Sequence, residues 1–168
     1  IRVRFAEYSY GLAAVAAVVH DVLIALGAVA LMVHLPFLQV EVNLTMIAAF
    51  LTILGYSLND TIVIFDRVRE NLPRVKGSFA DVVNLSINQT LSRTITTTLT
   101  TLFSVSVILA FNLGTGNVLE GFMLALLAGF ISGVYSTIYI ACPLLIWFEE
   151  RARRKSEAPQ AAKPQAAT

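Results

Sequence analysis

The chain has 168 residues, of which 57% are hydrophobic and 14% charged, and its formal net charge is +1. Its mean hydropathy of +0.74 excludes an ordinary soluble domain, because a domain of this length cannot bury so much apolar surface. The charge balance provides no basic surface for nucleic acid, and a single cysteine, Cys142, excludes an intrachain disulfide. The composition therefore predicts an all-α polytopic membrane protein.

Four apolar segments are long enough to cross a bilayer, since about 20 helical residues span roughly 30 Å of hydrocarbon. In chain order, the predicted elements are membrane helices over 11–33 and 42–66, a loop with a short amphipathic helix over 67–90, membrane helices over 91–112 and 118–147, and a disordered tail over 148–168. Ser78 and Asp81 have the spacing of a capping box at the start of the amphipathic helix.

The basic residues indicate which ends of these helices are cytoplasmic. All twelve Lys and Arg lie before the first segment, in or beside the connection between the second and third, or after the fourth. The other two connections, 34–41 and 114–117, contain none. By the positive-inside rule, we expect both ends of the chain and the middle connection in the cytoplasm.

Small residues recur every four positions along the fourth segment and predict a face for close helix packing. The stripe consists of Gly121, Ala125, Gly129, Gly133, Thr137 and Ala141. Ala13, Ala17 and Ala25 form a similar face on the first segment. Packing inside the subunit accounts for these faces more simply than a homodimer interface, although the spacing is compatible with both.

Ionisable residues inside the apolar segments are the candidate functional residues, because a charge at mid-bilayer costs at least about 2.5 to 3.5 kcal/mol. Asp60 in the second segment and Arg93 in the third are expected at comparable depth, since the two helices are antiparallel and directly connected. His20 and Asp21 form the deepest ionisable pair, in the first segment. The polar residues predicted to line a seam or hydrated path are Thr52, Tyr56, Asn59, Thr97, Thr100 and Ser104.

Two interpretations of Asp60 remain open from the residues alone. In one, Asp60 gains and loses a proton, with Arg93 as its electrostatic partner. In the other, Asp60 has only a structural role and stabilises helix packing through hydrogen bonds, while the Arg93 side chain extends to the lipid headgroups. For His20 and Asp21, interhelical hydrogen bonding and proton relay are equally compatible with the sequence.

Enzymatic functions find no support in the motifs of this chain. HExxH, GxSxG and GxxxxGK[ST] are absent, and an intramembrane protease would need a paired carboxylate or a Ser/His set that the sequence does not supply. We therefore expect a protein that is not an enzyme and has no cofactor and no metal.

The segment GYSLNDTIVIFDRVREN, residues 55–71, resembles the signature of the SecF family of bacterial protein-export subunits. HDVLIALG (20–27), LSRTITTTLTTL (91–102) and GFMLALLAGFISGVYSTIYIACPLL (121–145) are similar to the neighbouring helices of that family. The sister SecD family has a VDANV-type acidic motif at the corresponding helix, so the run Asn59–Asp60–Thr61 favours SecF.

The resemblance implies four transmembrane helices of an RND-type (resistance-nodulation-division) six-helix bundle, with residues 1–10 as the end of a preceding helix and a cytoplasmic loop. It also implies that Asp60 and Arg93 are the intramembrane carboxylate and the arginine of a proton path. The implied location is the bacterial inner membrane. The implied partners are membrane lipid, SecD, the SecYEG channel and an unfolded polypeptide, which a periplasmic domain outside this fragment would bind.

The function that the resemblance implies is coupling of the proton gradient to translocation of polypeptide across the membrane. Two alternatives remain. One is a scaffolding subunit whose intramembrane charges only bind SecD. The other is half of a small-molecule exporter of the same superfamily, although such proteins usually carry neighbouring acidic residues where this chain has Asn59 and Asp60.

Overall fold

The computed structural model describes the backbone of residues 2–34 and 43–161 and the side chains of 8–34, 43–152 and 154. Within these ranges the chain is all-helical. The elements are α1 (Arg2–Met32), α2 (Leu44–Asn71), α3 (Phe79–Asn112), α4 (Val118–Ser136), a π-helical turn (Thr137–Ala141) and α5 (Cys142–Ala161). Four helical stretches are long and apolar enough to span a membrane: Tyr8–Met32, Leu44–Asn71, Phe79–Asn112 and Val118–Ala152. The predicted fold class, all-α with four long apolar helices, is confirmed.

Side-chain caps mark where three of these helices begin. The Asn43 side chain accepts a hydrogen bond from the amide of Met46 at the start of α2, and the Asn117 side chain accepts from two amides at the start of α4. At α3, Ser78 and Asp81 form the predicted capping box, which is confirmed. These caps satisfy backbone N–H groups that the first helical turn leaves without partners.

The amphipathic segment before the third span is not the separate short helix predicted over 67–90. It is the first part of α3, which runs without a break from Phe79 to Asn112. No Gly or Pro lies in that stretch to end a helix. The hydroxyls of Ser86 and Thr90 donate to the carbonyls of Val82 and Ser86 one turn earlier, so these polar residues do not interrupt the helix either.

Two further boundaries differ from the prediction because charged residues mark the end of the apolar stretch and not the end of the helix. The predicted loop within 1–10 is helical from Arg2 onwards, as part of α1. The second span was predicted to end at 66, but α2 continues to Asn71, with Glu70 paired to Arg67 at 2.7 Å and to Arg74 at 2.8 Å. Both pairs have the spacing that supports an exposed helix.

The predicted disorder of the tail is wrong for residues 148–161, where α5 remains helical to Ala161. Glu, Arg, Lys and Ala dominate this stretch, and all four are strong helix formers. Residues 162–168 of the predicted tail lie outside the described residues. So do residues 35–42, which include most of the predicted connection over 34–41 and the predicted start of the second span.

The fourth predicted span is one continuous helical rod in which the π-turn joins α4 to α5. Pro143 is the second residue after that turn. Proline has no N–H to donate, and its ring collides with the carbonyl four residues earlier in a regular α-helix. The wider π-turn relieves this steric clash, so the helix continues past Pro143.

Among the side chains that the structure describes, two apolar cores hold the helices together, and a polar layer lies between them. The first core is Ala25, Val29, Met46, Ala49, Ile53, Val105, Met123, Leu124, Ala125, Leu126 and Phe130. The second core is Tyr10, Ala13, Ala17, Ile64, Phe65, Val68, Val82, Val83, Ala141, Cys142 and Leu145. On α1 and α2, Asp21 and Ser57 fall in sequence between the members of the two cores. The functional candidates therefore sit at mid-bundle.

Candidate functional site: a polar layer and a polar groove

Asp21 is the centre of the polar layer. It is 0% exposed, and hydroxyls from two other helices converge on its carboxylate. Ser57 of α2 donates to Oδ2 at 2.5 Å, Ser136 of α4 donates to Oδ2 at 2.7 Å, and Ser132 of α4 donates to Oδ1 at 2.8 Å. His20 Nδ1 lies 3.3 Å from Oδ1. The carboxylate therefore ties α1, α2 and α4 together at one level.

The layer continues toward the π-turn through a second set of hydroxyls. Thr61 Oγ1 lies 3.2 Å from Thr137 Oγ1 and donates to the Ser57 carbonyl at 3.0 Å. Thr137 in turn donates to the carbonyl of Gly133 at 2.9 Å. Gly133 faces this layer, and a Cβ added there would make ordinary van der Waals contact, 3.5 Å from Ser57 Cβ and 3.8 Å from Asp21 Oδ2.

Asp60 lies on a different face of α2, at the wall of a groove between α2 and α3. The groove has a volume of about 420 Å³ and is lined by Tyr56, Asn59, Asp60, Thr96, Thr97, Thr100 and Thr101. Asp60 is 7% exposed. The Tyr56 hydroxyl reaches across to Thr101 Oγ1 at 3.3 Å and helps to hold the two helices together. A buried carboxyl thus borders an open polar groove.

Arg93 is near Asp60 but not in direct contact with it. Asp60 lines the same groove as Thr96 and Thr97 and therefore lies at their height in the bundle. Arg93 precedes these two threonines by about one helical turn, so it lies about one turn nearer the α2–α3 connection than Asp60 does. Its charge interacts electrostatically with Asp60. No ion pair within 4.0 Å joins the two among the side chains that the structure describes. Arg93 was expected within the first turn of its helix, but it lies fourteen residues beyond Phe79 because α3 begins earlier than predicted.

The polar residues predicted to form a seam lie on the outer face of the bundle. Thr97 and Thr100 border the groove, whereas Thr52 and Ser104 lie outside its lining. Each of these four hydroxyls donates to a carbonyl of its own helix one turn earlier, at 2.8 to 3.0 Å. Because these side chains are exposed, the seam is open on the surface of this chain and not enclosed between its helices.

The small-residue stripe of α4 is buried and faces other helices of the same chain. Gly121, Ala125, Gly129 and Gly133 are all buried. A Cβ added at Gly129 would overlap Ile53 Cδ1 and Cγ1. The glycine is therefore required by the approach of α2 within this chain.

Comparison with known proteins agrees with this architecture. Residues 1–151 match the family described as "Protein export membrane protein SecD/SecF, C-terminal". The chain belongs to the SecD/SecF family. The predicted resemblance is confirmed, and the chain is accordingly a multi-pass membrane protein.

Relatives in this family include two proteins named protein translocase subunit SecF. The one from Rhodothermus marinus is 51% identical over 155 residues, which cover 90% of this chain and 48% of the relative. The one from Vibrio alginolyticus is 48% identical over 147 residues, covering 87% and 44% respectively. The chain thus spans about half the length of the curated relatives that it matches.

A solved structure has the same fold. The crystal structure of SecDF in its super-membrane-facing form is 43% identical in sequence and has a TM-score of 0.75. It covers 92% of this chain, which corresponds to 20% of that larger chain. The helical packing described above is therefore a SecD/SecF-family arrangement.

The serines of the polar layer were not predicted from the sequence. Ser132 and Ser136 are spaced i, i+4 on α4, directly beside the small residues Gly133 and Thr137. That spacing places both hydroxyls on one helix face, which is the available signal. Ser57 lies one turn before Asp60 on α2 and faces the other acid, Asp21.

Glu120 is a further residue that was not predicted from the sequence. It is 0% exposed in the first turn of α4, and neither carboxyl oxygen has a hydrogen-bond partner in the part of the chain that the structure describes. An unsatisfied buried polar group costs about 1–3 kcal/mol, and the helix N-terminus offsets only about 0.3–1 kcal/mol for an acid. Glu120 therefore reduces the stability of this fold.

We expect Glu120→Met, which preserves side-chain length, to raise the free energy of unfolding by about 1–2 kcal/mol. Denaturant unfolding of the full-length protein in detergent measures the change, and Glu150→Gln on the exposed end of α5 is the control. A loss of stability in Glu120→Met alone would show that the full-length protein supplies a partner for this carboxyl.

Proposed function

We propose that this chain is the proton-handling membrane part of a SecF-type subunit, which couples the proton gradient to translocation of unfolded polypeptide. Its relatives are named as protein translocase subunits, which supports a role in protein export. The observation that carries the proton-handling role is the buried Asp60 carboxyl at the wall of an open polar groove.

Asp60 is suited to take up and release a proton. A carboxylate inside an apolar helix is costly, yet none of the described side chains donates a hydrogen bond to it. The groove gives water or a proton donor access from one side. Protonation of Asp60 removes its attraction to Arg93, whose charge acts on the carboxylate from about one turn nearer the α2–α3 connection. The separation of α2 and α3 thereby responds to the protonation state of Asp60.

SecD is the partner that covers the groove. The exposed hydroxyls on this face already donate to carbonyls of their own helices: those of Thr52, Thr97, Thr100 and Ser104. The exposed Asn59 amide would otherwise face lipid, which offers no hydrogen-bonding partners. The position of these polar groups on one outer face favours a protein or hydrated surface opposite them. Contact with the SecYEG channel and with the translocating polypeptide belongs to the whole subunit, the latter through a periplasmic domain.

The orientation in this proposal follows from the basic residues. Arg67, Arg69, Arg74 and Lys76 cluster at the α2–α3 connection, and further basic residues lie at the two ends of the chain. The subunit therefore sits in the bacterial inner membrane with both ends and this connection in the cytoplasm.

The energy available from the gradient is sufficient for such a switch. Moving one elementary charge through the membrane potential is worth about 2.3 kcal/mol for each 100 mV. A bias of this size changes the relative populations of two helix arrangements whose free energies differ by a few kcal/mol.

The test is Asp60→Asn in the full-length subunit, reconstituted with SecD and the translocation channel. The amide keeps the shape of the side chain but has no titratable proton. We expect the stimulation of export by an imposed proton gradient to be lost, while SecD still co-purifies. Asp66→Asn, an exposed acid on the same helix, is the matched control and should retain full stimulation. Normal stimulation in Asp60→Asn would contradict the proposal.

The scaffolding alternative makes a different prediction for the same variant. If the intramembrane charges only bind SecD, Asp60→Asn loses complex formation together with activity. Quantitative co-purification of the two subunits separates these outcomes.

A further inference from the structure

The Ser136 hydroxyl has two acceptors within reach but only one proton to donate. Its Oγ lies 2.7 Å from Asp21 Oδ2 and 3.1 Å from the carbonyl oxygen of Gly133. Rotation about the side-chain bond transfers the donated hydrogen bond from one acceptor to the other. This is a local two-state element in the centre of the polar layer.

The three serines around Asp21 fit an ionised carboxylate, which only accepts hydrogen bonds. A proton added to Oδ2 needs an acceptor, and Ser136 becomes one when its own hydroxyl turns to Gly133. We propose that Asp21 is a second proton-binding carboxyl, with Ser136 as the switch that accommodates both protonation states. In this step an O–H bond forms on the Asp21 carboxyl while the matching O–H or N–H bond of the proton donor, a hydronium ion or the His20 imidazolium, breaks. The Ser136 hydroxyl keeps its own O–H bond and only turns the hydrogen bond that it donates from Oδ2 to the Gly133 carbonyl.

His20 lies between this buried acid and the outside of the bundle, and it contacts the carboxyl at its other oxygen. Its side chain is 32% exposed and its Nδ1 lies 3.3 Å from Asp21 Oδ1. The Tyr135 ring lies beside it, with ring centroids 6.4 Å apart. The groups that α2 and α4 present to Asp21 are hydroxyls, so His20 is the titratable partner in contact with it among the described side chains.

The switch is connected to the element that carries Asp60. Ser57 donates to Asp21 one turn before Asp60 on α2, and Ser136 immediately precedes the π-turn. A change in the charge of Asp21 therefore acts on both α2 and the π-turn. A role for this connection in gradient-driven export rests on the proposed function, whereas proton binding by Asp21 does not.

Infrared difference spectroscopy of the full-length subunit with SecD in lipid vesicles tests the proposal. Acidification should produce the carbonyl stretch of a protonated carboxyl that is missing in Asp21→Asn and present in Asp60→Asn. Ser136→Ala keeps Asp21 and removes only the switch. We expect the pH midpoint of that band to rise by about one unit, because the hydrogen bond lost from the ionised form is stronger than the one lost from the protonated form.

Ser106→Ala, at an exposed position on α3, is the matched control and should leave the band unchanged. If Asp21→Asn removed no band from the difference spectrum, or if the midpoint were the same in Ser136→Ala, the proposal would be overturned. A band that responds to sodium at constant pH would also overturn it and would identify a cation site. The export assay on Asp60→Asn is independent of these spectra, so failure of one proposal is distinguishable from failure of the other.

Discussion

Gly129→Ala is expected to lower the free energy of unfolding of the bundle by about 1–3 kcal/mol, the usual cost of overpacking a close helix contact. The new Cβ would overlap Ile53 Cδ1 and Cγ1 and lie 2.8 Å from Cγ2, closer than real Cβ atoms approach other carbons. Ile53 is fully buried in the first core, so its branched side chain has no free space to move into. The helices α2 and α4 must then move apart.

The glycines of the chain provide a matched control for this prediction. A Cβ at Gly55, on α2, would meet nothing within 4 Å. Gly55→Ala should therefore be neutral, or stabilising by up to about 1 kcal/mol through helix propensity. Denaturant unfolding of the full-length protein measures both variants.

A double variant shows whether the Ile53 contact is the cause. Gly129→Ala combined with Ile53→Ala should be more stable than the sum of the two single losses, because the smaller side chain makes room for the new methyl group. Equal stabilities of Gly129→Ala and Gly55→Ala, or strict additivity in the double variant, would contradict the packing argument.

Asp21→Ala is expected to destabilise the bundle by about 2–4 kcal/mol. The substitution removes the shared acceptor of three buried serines. Ser136 retains the Gly133 carbonyl as an acceptor, but Ser57 and Ser132 lose the carboxylate oxygens to which they donate. Part of the cost is recovered when these two hydroxyls turn to carbonyls of their own helices.

Asp21→Asn is the conservative comparison, because it preserves volume and one acceptor oxygen. We expect it to lose less than half as much stability as Asp21→Ala. Combining Asp21→Ala with Ser132→Ala should cost less than the sum of the single changes, since the second change removes one of the unpaired hydroxyls. Unfolding free energies that are unaffected by Asp21→Ala would show that the polar layer does not hold the helices together.

The two intramembrane acids have different environments, which is central to both proposals. Asp21 is enclosed by hydroxyls from neighbouring helices, whereas Asp60 borders an open groove on the outer face. The helix α2 contributes to both sites, because it carries Asp60 and also Ser57, which donates to Asp21 and lies less than one turn from Asp60. A rotation or shift of α2 therefore affects both sites together.

The amino-acid sequence by itself determined the membrane class, the four long helices and the family. It also identified Asp21 and Asp60 as acidic residues inside the membrane helices. Hydropathy, the cost of an intramembrane charge at Asp60 and the four-residue spacing around Gly129 are properties of local stretches, so they are readable without contacts. Helix ends were less readable, because Glu70 and its neighbours end the apolar stretch while the helix continues to Asn71.

Only the tertiary structure decided which polar groups meet. Ser57, Ser132 and Ser136 come from helices far apart in the chain, and the rotation of each helix about its axis determines whether its serines reach Asp21. The offset between α2 and α3 likewise decides that Arg93 acts on Asp60 through space and not as a direct ion pair. Helix rotation and offset result from the packing of the two cores, since many weak contacts along each helix jointly determine them.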